Sequence, residues 1–201
     1  MKNMSLLISA FALAACGGPG AKISGKDGAA QALFAASTAT KNGAERSNTG
    51  IDVNGEVTVN CAEGGTAKLS GFSTKVGLGT GVTLAQEFTI TYANCGAAKS
   101  DAGVAIYNGN MTVGQNIKAS TGSGVTAAQS FKGKVLVQGA FDDFIDADVS
   151  QDIEVAKLSS TSGASVSMKL VGTVATSSTT HTFNEDVTVT AGSIKAEVTK
   201  K

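Results

Sequence analysis

The sequence predicts a mainly β protein: an antiparallel meander of roughly eight to ten strands forming a curved sheet or barrel, with one short N-terminal helix. Three observations predict it. From about residue 50 onward the apolar residues recur with a period of two, the mark of half-buried antiparallel strands. After Pro19 the chain contains no further proline, so nothing interrupts long hydrogen-bonded ladders. The one Ala-rich stretch without this alternation, 28–40, lies near the front.

The elements follow in order. Residues 17–27, GGPGAKISGKD, are Gly-rich and read as a flexible tether. GAAQALFAASTAT, 28–40, reads as a helix capped by Asp27 and ended by Asn42-Gly43, with Leu33 and Phe34 as its main buried groups. EVTVNC places Val57, Val59 and Cys61 on one face, and EFTITYAN places Phe88, Ile90 and Tyr92 on one face with Thr89 and Thr91 opposite. In VAIYNGNMTV, Asn108-Gly109 is the preferred two-residue type I′ hairpin loop, which sets Ile106 opposite Met111 and Val104 opposite Val113. SVSMKL, DVTVTA and SIKAEV continue the alternation through Val166, Met168, Leu170, Val187, Val189, Ile194, Ala196 and Val198. Glycines recur before or inside these segments, at Gly55, Gly71, Gly103, Gly133, Gly139, Gly172 and Gly192. Some of them are expected at bulges or bends of a strongly curved sheet.

The first residues carry a separate signal. Met1-Lys2-Asn3 supplies one positive charge, and MSLLISAFALAA, Met4 to Ala15, supplies an uncharged apolar run. That run is shorter than the roughly 20 residues a bilayer span needs, and it fits the h-region of a secretory signal. Its end, Leu13-Ala14-Ala15-Cys16, resembles the lipobox of bacterial lipoproteins with a type II signal peptide. The resemblance covers residues 1–16. It implies cleavage before Cys16, a diacylglycerol on the Cys16 thiol and an acyl chain on the new amine. Two or three long chains hold a protein on a membrane where one does not. Gly17, rather than Asp, follows the cysteine; by analogy with enterobacterial sorting this favours the outer membrane.

The cysteines then divide cleanly. With Cys16 acylated, Cys61 and Cys95 remain as a pair in an oxidising compartment, and a Cys61–Cys95 disulfide is expected. Cys95 falls out of phase with Phe88, Ile90 and Tyr92, so a bulge or a strand end is needed for it to meet Cys61.

Candidate chemistry is sparse. Asp146, Asp148, Ser150, Asp152 and Glu154 echo a calcium loop, but Gln151 stands where the loop needs Gly and Lys157 where it needs Glu. They read instead as the wet face of a strand whose other face is Ala147, Val149, Gln151, Ile153 and Val155. VGLGTGV, 76–82, lacks the strand-then-helix setting of a phosphate cradle and reads as a loop. His181 is the sole histidine, set in SSTTHTFNED, which suggests an exposed strand or turn, and no G-x-S-x-G elbow accompanies it. Formal net charge is zero, which offers no footprint for nucleic acid. Aromatics are few and Trp is absent, which weakens both sugar stacking and a membrane-spanning barrel with its aromatic girdles.

The expected organisation is a signal peptide at 1–15, a lipidated cysteine and tether at 16–27, and one β-rich domain with its helix at 28–201. The expected function is an outer-membrane-anchored, non-enzymatic envelope scaffold or interaction protein that meets the membrane through Cys16 and other envelope proteins through its domain. The alternative is a carrier that binds an apolar ligand inside the curved sheet. Neither cofactor, metal, catalytic residue nor nucleic-acid partner is expected. What separates the two readings is whether the concave face is filled.

Overall fold

A computed structural model of the chain describes residues 20–44, 50–51, 55–78, 81–99, 103–120, 124–154, 165–190 and 196–199. The signal segment and Cys16, together with Val155, Lys157, Gly192 and Ile194, lie outside the described residues. One helix, α1 (Gly25–Ala44), precedes ten strands: β1 (Gly50–Ile51), β2 (Val57–Asn60), β3 (Thr66–Leu78), β4 (Gly81–Gly96), β5 (Ala105–Ser120), β6 (Gly124–Gly139), β7 (Asp143–Glu154), β8 (Ser165–Ala175), β9 (Thr180–Thr190) and β10 (Ala196–Thr199).

Each strand pairs antiparallel with its sequence neighbour, so the sheet order is the chain order, β1 to β10. The mainly β meander expected from the alternation is thus the fold, as a curved, open sheet rather than a closed barrel. The faces are those the period of two assigns. On β7, Ala147, Val149 and Gln151 are buried, while Asp146, Asp148, Ser150 and Asp152 are exposed.

α1 lies on the concave face, against β2, β5 and β7 to β10, so the sheet wraps around it. Leu33 is fully buried and Phe34 nearly so, as expected, and six alanines between Ala29 and Ala39 are buried with them. Small side chains bring the helix backbone close to the sheet. Two tyrosines use that closeness: Tyr92 OH donates to Ala36 O at 3.1 Å and Tyr107 OH to Ala32 O at 2.9 Å, one helical turn apart. Burial pushes the pKa of both phenols well above the usual tyrosine value, and for Tyr107 the neighbouring Tyr92 adds to it. Both therefore remain donors.

The helix is longer than the expected 28–40. It begins at Gly25, whose φ of 69° turns the chain into it, so Asp27 sits in its first turn rather than at its cap. Asn42-Gly43 lies within it and does not end it. The described part of the expected tether is also seated on the domain. Ala21 bridges Phe141, Asp142 N–H donates to Ala21 O at 3.0 Å, and Ile23 is fully buried. The physical reason is Ile23: one aliphatic side chain in a Gly-rich run is enough to draw the segment into the core.

Two expectations about turns are corrected. Asn108-Gly109 makes no hairpin. β5 runs through it without a break, Met111 faces Ile90 on β4, and Ile106 pairs with Gly96 and Gln138. Asn-Gly marks a turn only where the chain reverses. Here the neighbouring strands are long, and the glycine serves another purpose. Gly109 has a φ of 126°, and a Cβ there would stand 2.8 Å from Lys134 O on β6. Gly172 on β8 repeats this, with a φ of 127° and a Cβ position 2.2 Å from Asp148 O. With Gly133 between them on β6 (φ 140°) they step diagonally across the inner face, one level further along on each strand. Only glycine gives this approach and this φ, and glycine kinks of this kind are a device by which sheets are curved. The second correction is VGLGTGV: β3 continues to Leu78 and β4 begins at Gly81, so Val76, Gly77, Leu78, Gly81 and Val82 are strand, and Gly79 and Thr80 lie outside the described residues.

The phase problem at Cys95 is solved as anticipated. The β4–β5 register shifts between Tyr92 and Cys95, and Asn94 takes a φ of 50°. This bulge rotates Cys95 to the inside, where it is fully buried and bonded to Cys61, with Cα atoms 5.3 Å apart.

Candidate functional site

Three parts of the molecule could carry a function: the concave face, the convex face, and the far ends of β3 to β6.

The concave face is occupied by α1. Its front end is held by a clasp that sequence reading did not find. Asp143, at the start of β7, is buried and accepts Ile23 N–H at 2.9 Å, Phe144 N–H at 2.7 Å and Ser177 N–H at 2.8 Å. Burial alone would raise its pKa; the N–H groups of Ser177, Phe144 and Ile23 outweigh that and hold it below the usual carboxylate value. Lys26 pairs with Glu185 of β9 at 2.6 Å and stands 5.2 Å over the Phe183 ring. The signal was present in the sequence, an Asp opening a strand behind a turn, but its three partners lie 1, 34 and 120 residues away.

The convex face is polar. The acidic residues of β7 lie along it beside lysines: Lys132 meets Asp148 at 3.1 Å, and Lys134 and Lys169 pair in register with Asp146 and Asp152. Asp146, Asp148 and Asp152 thus alternate along one strand as a charge ladder with these lysines; among the described residues no cluster of His, Cys, Asp and Glu could hold a metal ion. An exposed charged outward face is the reverse of a membrane-spanning barrel, whose outward face is apolar. A shallow hollow of about 310 Å³ lies on this face, bordered by Ser73, Lys75, Glu87, Asn116 and Ser130, over the bare backbone of Gly114. It is open and mixed in polarity.

His181 is on a strand, one of its two expected settings, but is half-buried rather than exposed. It lies on β9 opposite Val174, with its Nε2 enclosed and unpartnered among the described residues. Its inner-face neighbours on β9, Phe183 and Glu185, belong to the contacts around α1.

The far ends of β3 to β6 are the part sequence reading passed over. Phe72 is 50% exposed and stacks on Phe88 with ring centroids 5.5 Å apart. Val76, Leu78, Val82 and Ile117 are exposed as well.

Of the expected site residues, Cys61 and Cys95 are brought together and Cys16 lies outside the described residues. The chain matches no family model, no curated protein and no solved structure at a significant level.

Proposed function

We propose that this chain is a lipid-anchored envelope protein of the outer membrane that acts without chemistry of its own, as a scaffold or interaction domain. The observation that carries the reading is the position of α1. A carrier of the lipocalin kind needs a void on the concave face; here that face holds a helix whose Ala32 and Ala36 carbonyls accept hydrogen bonds from two sheet tyrosines. What remains outside is surface: a charged convex face and long strands reaching beyond the helix. Such surfaces suit contact with other macromolecules.

The anchor in this reading is Cys16, five residues before Ala21, which bridges Phe141 just ahead of β7. Metabolic labelling with a fatty-acid analogue tests it: wild type takes up label and Cys16→Ala does not. Equal labelling of the two removes the anchor. Titration of the purified domain with a fluorescent fatty-acid probe tests the rest. No saturable binding inside the sheet is expected, and stoichiometric binding abolished by enlarging Ala36 to Leu would restore the carrier reading.

A further inference from the structure

On β3 to β6 the inner-face pattern continues beyond the point where burial ends. Val76, Leu84, Ile117 and Ala127 stand side by side in register across the four strands, with Leu78 and Val82 one level further out. Val76 is 63% exposed, Leu78 84%, Val82 50% and Ile117 39%. From Phe72 outward, no inner position of these strands carries a charge, whereas the outer positions of the same stretch include Lys75, Glu87, Lys118 and Lys132. An alternation this strict has one wet face and one face that is covered. One level nearer the core, Gln86, Gln115 and Gln129 form a transverse line on the same inner face, ending at the buried Gln151 of β7, whose Nε2 donates to Gln129 Oε1 at 2.7 Å.

We propose that this face is the contact between two copies of the chain, packed sheet on sheet about a two-fold axis. A two-fold contact sets the same patch against itself. A face without charge meets its copy with no like-charge repulsion. A primary amide carries donors and an acceptor together, so a line of glutamines is complementary to its own two-fold mate. Aligned sheets interdigitate their inner side chains at a spacing of about 10 Å, and the exposed valines, leucine and isoleucine supply that layer. A lipid surface fits less well, because the lysines of this stretch occupy the opposite face.

The size of the patch sets the strength. Four strands at about 4.8 Å spacing and six or seven residues at about 3.3 Å rise give a footprint of roughly 380–440 Å² per copy. That is below the roughly 800 Å² per partner of a standard stable complex, so the dimer is weak and concentration-dependent.

Sedimentation velocity tests this on the soluble chain from Gly17 to Lys201, which retains every contact described above. Between about 10 µM and 1 mM the expected behaviour is a reversible monomer–dimer equilibrium. Ile117→Lys, near the middle of the face, raises the dissociation constant tenfold or more. Val171→Lys, which is 38% exposed but on the outer face, leaves it unchanged. An unaltered thermal midpoint confirms that each variant is folded; if Ile117→Lys is not, Val82→Lys takes its place. A wild-type chain that stays monomeric throughout overturns the proposal, as does equal weakening by Val171→Lys. A monomer whose patch takes up a fluorescent fatty-acid probe, with uptake lost in Ile117→Lys, also overturns it in favour of a small amphiphile.

Discussion

The Asp143 carboxylate accepts backbone N–H groups from Ile23, Phe144 and Ser177, so one side chain joins the segment before α1, the start of β7 and the β8–β9 turn. Its pKa lies below the usual value. A carboxylate held down in the folded state stabilises the fold above its unfolded pKa, near about 3.9, and loses that contribution as pH falls through the folded pKa. The expected outcome is a stability that is level above about pH 5 and declines below pH 4. Asp143→Asn lowers stability at pH 7 by about 2 kcal/mol and flattens that decline; urea unfolding from pH 7 to pH 3 reads both. At the same scale, Gly172 has no room for a side chain and no permitted φ for one. Gly172→Val costs about 1–3 kcal/mol. Gly77→Ala, where the new methyl meets only Thr83 at 3.6 Å, stays within about 0.5 kcal/mol of wild type.

At the scale of the element, the disulfide ties Cys61, just after β2, to the end of β4. Closing a loop of 34 residues is worth about 3–4 kcal/mol in the chain-entropy model. Reduction with alkylation should therefore lower the thermal midpoint by about 6–16 °C for a domain of this size (about 2–4 °C per kcal/mol); a shift of only a degree or two would mean that the loop is already closed by packing. The strands themselves were legible from sequence because burial on one face imposes a period of two that Val57, Val59, Ile90, Tyr92, Val149 and Leu170 display directly. The Cys95 bulge was legible for the same reason, since a required partner contradicted the phase. The Asn108-Gly109 error has the opposite cause. Turn chemistry and a glycine kink use the same residues, and only the partner strands, here Tyr92 and Val135 opposite Gly109, distinguish them. The Asp143 clasp was hidden because three backbone N–H groups, together with the Ser177 side chain, hold it, and sequence does not mark backbone donors. The ends of β3 to β6 were hidden because alternation reports which residues share a face, not whether anything lies against it.

For the whole molecule, the sheet and α1 share one core. The core runs without interruption from Ile23 and the helix alanines to Phe183 on β9. The glycine diagonal lies on the inner face of the sheet, and α1, packed against β2, β5 and β7 to β10, covers the apolar centre of that face. The claim that most of the functional reading depends on is that α1 is a fixed part of this core and not a displaceable plug. Native-state hydrogen exchange of the α1 amides from Ala29 to Ala39 tests it most directly. Exchange only through global unfolding, with the same free energy as the buried amides of β5 and no change on adding a fatty-acid amphiphile, is the predicted result. Exchange of α1 at a free energy several kcal/mol below that of β5, or deprotection of α1 by the amphiphile, would contradict it and make the concave face a binding site.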